Sequence, residues 1–320
     1  MVLKHYKINI KVINWIKQLI TGRSQRTVVD NEQSDECMVT SGVPQGSVIA
    51  PLLFLLYLES LIIILQSECP ETHIYAFADD VKLLSSNNIE LQKALNIVQD
   101  WSNKWNLTIQ PKKSEHLSFT NLRNSSSTTP QFFINNHLIP TNEFVKDLGI
   151  IITNNFKWTK YLSKIASKAN MLAYTIIRAF KSNNPHFYIR LFKTYALPIL
   201  EYNTTIWNPT LISDTNIIEN VQRKFTKRVC QRYNIKFNSY SQRLAILNIE
   251  SLEQRRIKFD LINMYKIYHK IIDVEFEDFF IRNSSVSNYN TRGHNQKIFA
   301  PRYSGSTIRH NFFCNRIIPI

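Results

Sequence analysis

Two adjacent carboxylates, Asp79 and Asp80, lie between two β-favouring runs in HIYAFADDVKLL, residues 73–84. Mostly apolar residues lead up to the pair and Val81 to Leu84 leave it, so the spacing predicts a hairpin with the pair at its tip. Neighbouring carboxylates repel unless a cation or hydrogen-bond donors relieve them, and acidic tips of this kind hold Mg²⁺ through oxygen ligands. Taken alone, the pair is also ordinary turn chemistry, because short polar side chains bond back to the backbone there. A second stretch is SGVPQGSVIAPLLF, residues 41–54, where Gly42, Pro44 and Gly46 punctuate a loop through which backbone can approach a ligand closely. Its plain structural reading is a strand-to-helix turn.

The elements that must position these residues follow from periodicity. Val12, Ile13, Ile16, Leu19 and Ile20 have helical spacing over Lys11 to Ile20, with Gly22 placed as a cap. GRSQRTVV and ECMVTS read as a hairpin around Asp30-Asn31. After the loop comes VIAPLLFLLYLESLIIIL, Val48 to Leu65, long enough on paper to span a bilayer. Pro51, Glu59 and Ser60 interrupt it and no partner span exists, so a buried core helix is the preferred reading over a membrane protein. Asn88 to Trp105 places Leu91, Leu95, Val98, Trp101 and Trp105 on one helical face.

The chain has 320 residues, 44% hydrophobic and 12% aromatic, which describes a globular protein of two structural units and excludes a disordered chain. Net charge is +15, and it is unevenly spread: residues 1–150 carry 13 basic and 14 acidic side chains, residues 151–320 carry 26 and 10. A polyanion such as nucleic acid is therefore the expected partner of the second half. Lys164, Lys168, Arg223, Lys224, Lys227 and Arg228 lie on amphipathic helical patterns there and are the candidate contacts to a nucleic-acid backbone. Aromatics at helical spacing, such as Tyr195, Tyr202, Trp207 and Phe225, read as core. NLRNSSSTTP, residues 121–130, reads as a polar loop. Cys37, Cys69, Cys230 and Cys314 form no CxxC pair, which disfavours a zinc site or a disulfide scaffold. With no signal-peptide core at the N-terminus, the expected location is intracellular, cytoplasm or nucleus.

In combination, SGVPQGS, the apolar helix and then FADD resemble the central palm of reverse transcriptases, particularly those of non-LTR retrotransposons of the LINE-like, jockey type. GRSQRTVV resembles the same family, as do WNLTIQPKKSE, similar to its lysine-bearing segment, and FVKDLGII, similar to its primer-grip hairpin. Residues 157–180, LPILEY, residues 216–230, SLEQRR, TRGHN and FFCNRIIPI look like the thumb and C-terminal region. An ordered set of this kind is specific where each piece is not.

The resemblance implies an RNA-directed DNA polymerase acting on an RNA template, a DNA primer and dNTPs, with two Mg²⁺ ions about 3.5–4 Å apart. Asp79 and Asp80 would hold metal, while Phe77 and Ala78 pack their strand. Pro44, Gln45 and Gly46 would lie beneath the nucleotide and template base. Lys113 would approach the triphosphate, although a Pro-Lys-Lys-Ser turn is also ordinary solvated surface. The family's further metal-binding Asp, on a strand before the first helix, has no counterpart in these residues. The expectation is thus a truncated copy, inactive by itself, with an uncovered sheet edge and poor solubility. The fold class expected is α+β: residues 1–155 as a partial palm without its first catalytic strand and fingers, and residues 156–320 as a basic helical thumb and C-terminal region. The alternative function is a non-catalytic RNA- or DNA-binding protein using the basic helices.

Overall fold

In the computed structural model, residues 3, 6–119, 130–282, 298–299 and 307–318 are described. The first helix, α1 (Ile10–Ile20), is capped by the Asn9 side chain, which accepts from the Lys11 amide at 2.9 Å. Gly22 follows it with φ +66°. Next is a nested hairpin: β1 (Arg23–Gln25) pairs with β4 (Cys37–Val39), and inside it β2 (Val28–Val29) pairs with β3 (Glu32–Gln33). Asp30 and Asn31 turn it with φ of 49° and 69°, the left-handed pair that short polar residues tolerate.

Helix α2 (Ala50–Glu68) starts at its first-turn proline, Pro51, which has no amide hydrogen to leave unsatisfied. The hairpin β5 (His73–Phe77) and β6 (Asp80–Leu84) and the helix α3 (Asn88–Lys104) complete a small layer. Its core is Leu58, Leu61, Leu65 and Cys69 against Ala94 and Trp101, with Ile74, Val81 and Leu83 of the hairpin packed on it. Two hydrogen bonds fix α2 to α3: the Trp101 indole donates to Ser60 Oγ at 2.9 Å and the Tyr57 hydroxyl to the Trp105 carbonyl at 2.7 Å. The other side of α3, Leu91 and Leu95, meets Phe132, Ile134 and Ile139. These come from the hairpin β8 (Phe133–Ile134) and β9 (His137–Leu138) and its flanks, beside which β7 (His116–Leu117) pairs in parallel with β10 (Thr141–Asn142).

These residues make one compact unit, 1–118 with 122–142; residues 119–121 with 143–320 make the second. The second begins with the hairpin β11 (Phe144–Asp147) and β12 (Ile150–Thr153), turned by Leu148 and Gly149. The helices α4 (Thr159–Ala179), α5 (Pro185–Leu191), α6 (Leu197–Glu201), α7 (Thr204–Trp207), α8 (Ile212–Arg232), α9 (Tyr240–Leu247) and α10 (Leu252–Tyr268) follow. A short pair, β13 (Ile281–Arg282) and β14 (Ile298–Phe299), and the turns α11 (Thr307–His310) and α12 (Phe313–Arg316) close it. One core runs from Ile150 and Ile151 through Leu162, Ala169, Phe192 and Trp207 to Phe225, Val229 and Leu252. Ser251 and Gln254 form a reciprocal capping box at the start of α10.

The α+β class expected from sequence is present, as mixed helix with two-stranded ladders among the described residues. Four details differ. The helix expected from Asn216 starts a turn earlier, at Ile212. Tyr195 and Tyr202, read as core, are 57% and 49% exposed, and Tyr195 lies within a π turn over Phe192–Ala196. Pro198 explains it, because a proline ring crowds the carbonyl one turn back and cannot donate to it, and a widened turn relieves both. Thirdly, α2 is buried on one face only: Leu58, Leu61 and Leu65 are covered, whereas Leu52, Leu55 and Ile63 are exposed, because a two-stranded hairpin covers only part of it. Finally, the hairpin β11–β12 groups with the helices, since Ile150 and Ile151 pack into their core. The expected loop at 121–130 and TRGHN at 291–295 lie outside the described residues, apart from Pro130.

Candidate functional site

The strands β5 and β6 pair in register from His73 opposite Leu84 to Phe77 opposite Asp80. That register leaves a two-residue loop, Ala78-Asp79, so Asp79 is its second residue and Asp80 opens β6. Ala78 has φ +53°, the conformation in which a Cβ is crowded and glycine is preferred. A strained residue directly before two carboxylates is of the kind that collects at functional positions. Both aspartates are exposed. Neither carboxylate has a hydrogen bond or ion pair among the described residues.

The strand is not held by Phe77 and Ala78, as the sequence suggested. Phe77 is 63% exposed and Ala78 is exposed too. Ile74, Val81 and Leu83 hold the hairpin instead, through α2 and α3. Each of the three is only partly buried, so each contributes less than the ~1.5–3 kcal/mol of a fully buried aliphatic side chain to holding the tip in place.

In the loop 41–49, Gly42 and Gly46 both have φ +80° and nothing within 4 Å of the position a Cβ would occupy. Their glycine requirement is therefore conformational in this structure. The Arg23 guanidinium donates to the Gly42 carbonyl at 2.6 Å and to the Ile20 carbonyl at 3.2 Å, tying the loop to the end of α1. Pro44 is half-buried, while Gln45 and Gly46 face solvent. Lys113 ends a short 3-10 turn, Pro111–Lys113, and is exposed. No hydrogen bond or ion pair joins Lys113, the loop and the aspartates among the described residues.

Mg²⁺ commonly takes one or two protein carboxylates and completes its octahedron with water and substrate phosphates. Asp79 and Asp80 are two exposed carboxylates of the type that set uses. No group of three His, Cys, Asp or Glu side chains that could hold a metal occurs among the described residues, so the side chains for a second, bridged ion are not assembled there.

In the second unit the basic candidates separate into two kinds. Lys164 and Lys168 on α4 and Lys224, Lys227 and Arg228 on α8 are exposed. Arg223 instead turns inward, donating to Asn216 Oδ1 at 3.1 Å, with its guanidinium 5.1 Å from the Tyr240 ring centre. Sequence reasoning missed what surrounds it. Glu219 and Gln222 are buried on α8, and the Tyr240 hydroxyl donates to Glu219 Oε1 at 2.5 Å while accepting from Gln222 at 3.0 Å. Burial first, and then that carboxylate, push the Tyr240 phenol far above its ordinary value.

A family profile described as reverse transcriptase (RNA-dependent DNA polymerase) matches residues 2–176. Among curated proteins, the chain is 27% identical over 132 residues to an uncharacterised Caenorhabditis elegans protein, covering 41% of this chain and 65% of that one. It is 25% identical over 229 residues to a probable RNA-directed DNA polymerase from transposon X-element of Drosophila melanogaster, covering 67% of this chain and 24% of the relative. To the RNA-directed DNA polymerase from mobile element jockey of the same fly it is 23% identical over 231 residues, again 67% and 24%. The chain thus spans about two thirds of the nematode relative and about a quarter of each transposon polymerase.

Proposed function

For a chain that belongs to the reverse transcriptase (RNA-dependent DNA polymerase) family, and whose relatives include polymerases of non-LTR mobile elements, we propose that the first unit is palm and the second is thumb and C-terminal region. The palm works on an RNA template, a DNA primer and dNTPs. The observation that carries this reading is the tip itself: two exposed carboxylates on a hairpin packed against α2 and α3, next to a strained Ala78.

Asp79 and Asp80 hold a divalent ion, which when bound would neutralise charge on the nucleotide phosphates during nucleotidyl transfer. Pro44, Gln45 and Gly46 lie under the incoming nucleotide and its template base. Lys113 donates a proton or positive charge toward the leaving pyrophosphate. Lys164, Lys168, Lys224, Lys227 and Arg228 track the template–primer backbone, a sequence-independent and salt-sensitive mode. With two carboxylates at the tip and no third metal-binding side chain beside them among the described residues, these residues by themselves make a very poor catalyst, because the charge stabilisation that dominates phosphoryl transfer is incomplete.

The test is retention of a labelled complementary dNTP on a complex of the chain with an RNA template and DNA primer. The expected result is Mg²⁺-dependent retention that Asp79→Asn abolishes, with primer extension no faster than in Asp79→Asn. Retention that survives Asp79→Asn and Asp80→Asn would remove the polymerase reading and leave the non-catalytic RNA- or DNA-binding one.

A further inference from the structure

On the second unit, α4 and α8 border a groove of about 430 Å³ lined by Asn170, Met171, Tyr174, Lys224, Phe225 and Arg228. That volume lies within the ~300–1,000 Å³ range of small-ligand sites. The spacing is regular: Asn170 and Tyr174 are one turn apart on α4, and Lys224 and Arg228 one turn apart on α8, so the two pairs line facing helices. The buried Phe225 and the small Ala173 provide an apolar floor.

Three features depart from an ordinary helix–helix seam. Tyr174 is 50% exposed and Met171 is 63% exposed, so neither is part of the core. The Arg228 guanidinium lies 5.7 Å from the Tyr174 ring centre, which stiffens the ring by a cation–π contact yet leaves half of its surface open. The charged lining, moreover, is cationic only: Lys224 and Arg228 are its charged residues, α4 contains no acidic residue, and the two acidic residues of α8, Asp214 and Glu219, are buried.

A duplex held by its phosphates needs the cations but has no use for an exposed ring beside an apolar floor, because its bases are stacked inside. A base that is not paired presents a π face to such a ring and carries its phosphate to the neighbouring cations. We propose that this groove takes an unpaired nucleotide of a single-stranded segment, its base on Tyr174 and its phosphate between Lys224 and Arg228, with the half-buried Asn170 amide reading a polar edge. This rests on the nucleic-acid-binding role of the basic helices proposed above and adds a subsite to it.

Fluorescence anisotropy with a labelled oligo-rU, the matching oligo-dT and an RNA–DNA duplex of equal length tests it, using the full chain. Tyr174→Ala is expected to weaken single-strand binding by about 5- to 160-fold, the range of base–aromatic stacking, and to leave duplex binding within about twofold. Tyr174→Phe keeps the ring and should keep the affinity. Lys224→Gln with Arg228→Gln should weaken both ligands and lower the salt slope by about 1 to 2. Losses shared by oligo-rU and oligo-dT assign the subsite to either strand, and a loss confined to oligo-rU assigns it to RNA; both support it. Single-strand binding unchanged in Tyr174→Ala, or equal losses for single strand and duplex, overturns it. If the wild-type chain binds neither ligand, the underlying nucleic-acid reading fails with it, an outcome readily told apart from the other two.

Discussion

Removing the Arg316 guanidinium is expected to destabilise the helical unit by about 3 kcal/mol, the low end of the ~3–5 kcal/mol range for breaking a buried ion pair. Arg316 meets Asp260 in a two-pronged pair, Nε to Oδ2 and Nη2 to Oδ1, both at 2.9 Å. The two side chains are only 11% and 2% exposed. The same guanidinium donates to the Thr205 carbonyl at 2.7 Å and the Asn311 carbonyl at 2.9 Å, so it joins α12 to α10 and α7 at once. In Arg316→Ala, Asp260 becomes a buried carboxylate left with one neutral donor, Asn208 Nδ2 at 3.3 Å. Arg256 partly compensates. It donates to Asn208 Oδ1 at 2.9 Å and feels the Asp260 charge, although burial holds its own guanidinium below the usual range. That compensation is why the low end applies. Urea unfolding followed by circular dichroism reads the loss, and a melting shift of about 6–12 °C should accompany it. Arg316→Lys, which keeps the charge without the planar fork, should fall between the two. Replacing both partners by Leu should cost less than Arg316→Leu alone, because no unpaired charge is left behind. A change under about 1 kcal/mol in Arg316→Ala would refute the reasoning.

Three smaller perturbations probe other links. Ala78→Gly should relieve the left-handed turn at φ +53° and raise the stability of the first unit by up to about 1 kcal/mol, read as a higher melting temperature; a lower one contradicts the strain. His116 is pushed below the usual histidine range by burial, its ring against Phe132 at 4.8 Å and its Nδ1 3.0 Å from Thr141 Oγ1. The unfolded chain then takes up the proton more readily, so the stability His116 contributes is full above about pH 6.5 and is lost as pH falls through the lower folded value. The urea midpoint should therefore drop between pH 7 and pH 5 by less in His116→Gln than in wild type, and an equal drop counts against it. Neutralising Lys164 and Lys168 should reduce the salt slope of RNA–DNA duplex binding by about 0.9 for each phosphate that is no longer neutralised, and an unchanged slope would mean that α4 does not face the backbone.

How much of this was legible in the sequence varies with the interaction's range. The FADD hairpin and the Asp30-Asn31 turn were readable, because β-favouring runs and short polar turn residues act within a few positions. So was the basic, helical character of the second half. The buried side of α8 was not: Glu219, Gln222 and Thr226 are polar yet enclosed, so the helix looks more solvent-facing than it is. That is why Arg223 was grouped with Lys224, its neighbour in sequence but about 100° away around the helix. The pair Arg316–Asp260 joins residues 56 apart, and no local signal announces it. The π turn could have been suspected from Pro198, whose missing donor must be accommodated somewhere in the preceding turn. Nothing local in the sequence singles out Tyr174, and only its exposure sets it apart.

The claim most directly at stake is that Asp79 and Asp80 hold a metal. Electron paramagnetic resonance of Mn²⁺, a stand-in for Mg²⁺, counts the ions bound to the wild-type chain and to the double variant Asp79→Asn/Asp80→Asn with a dNTP present. The account predicts saturable binding in the wild type that the double variant loses, with melting curves of the two alike. Equal Mn²⁺ binding by both chains would contradict it and return FADD to ordinary turn chemistry.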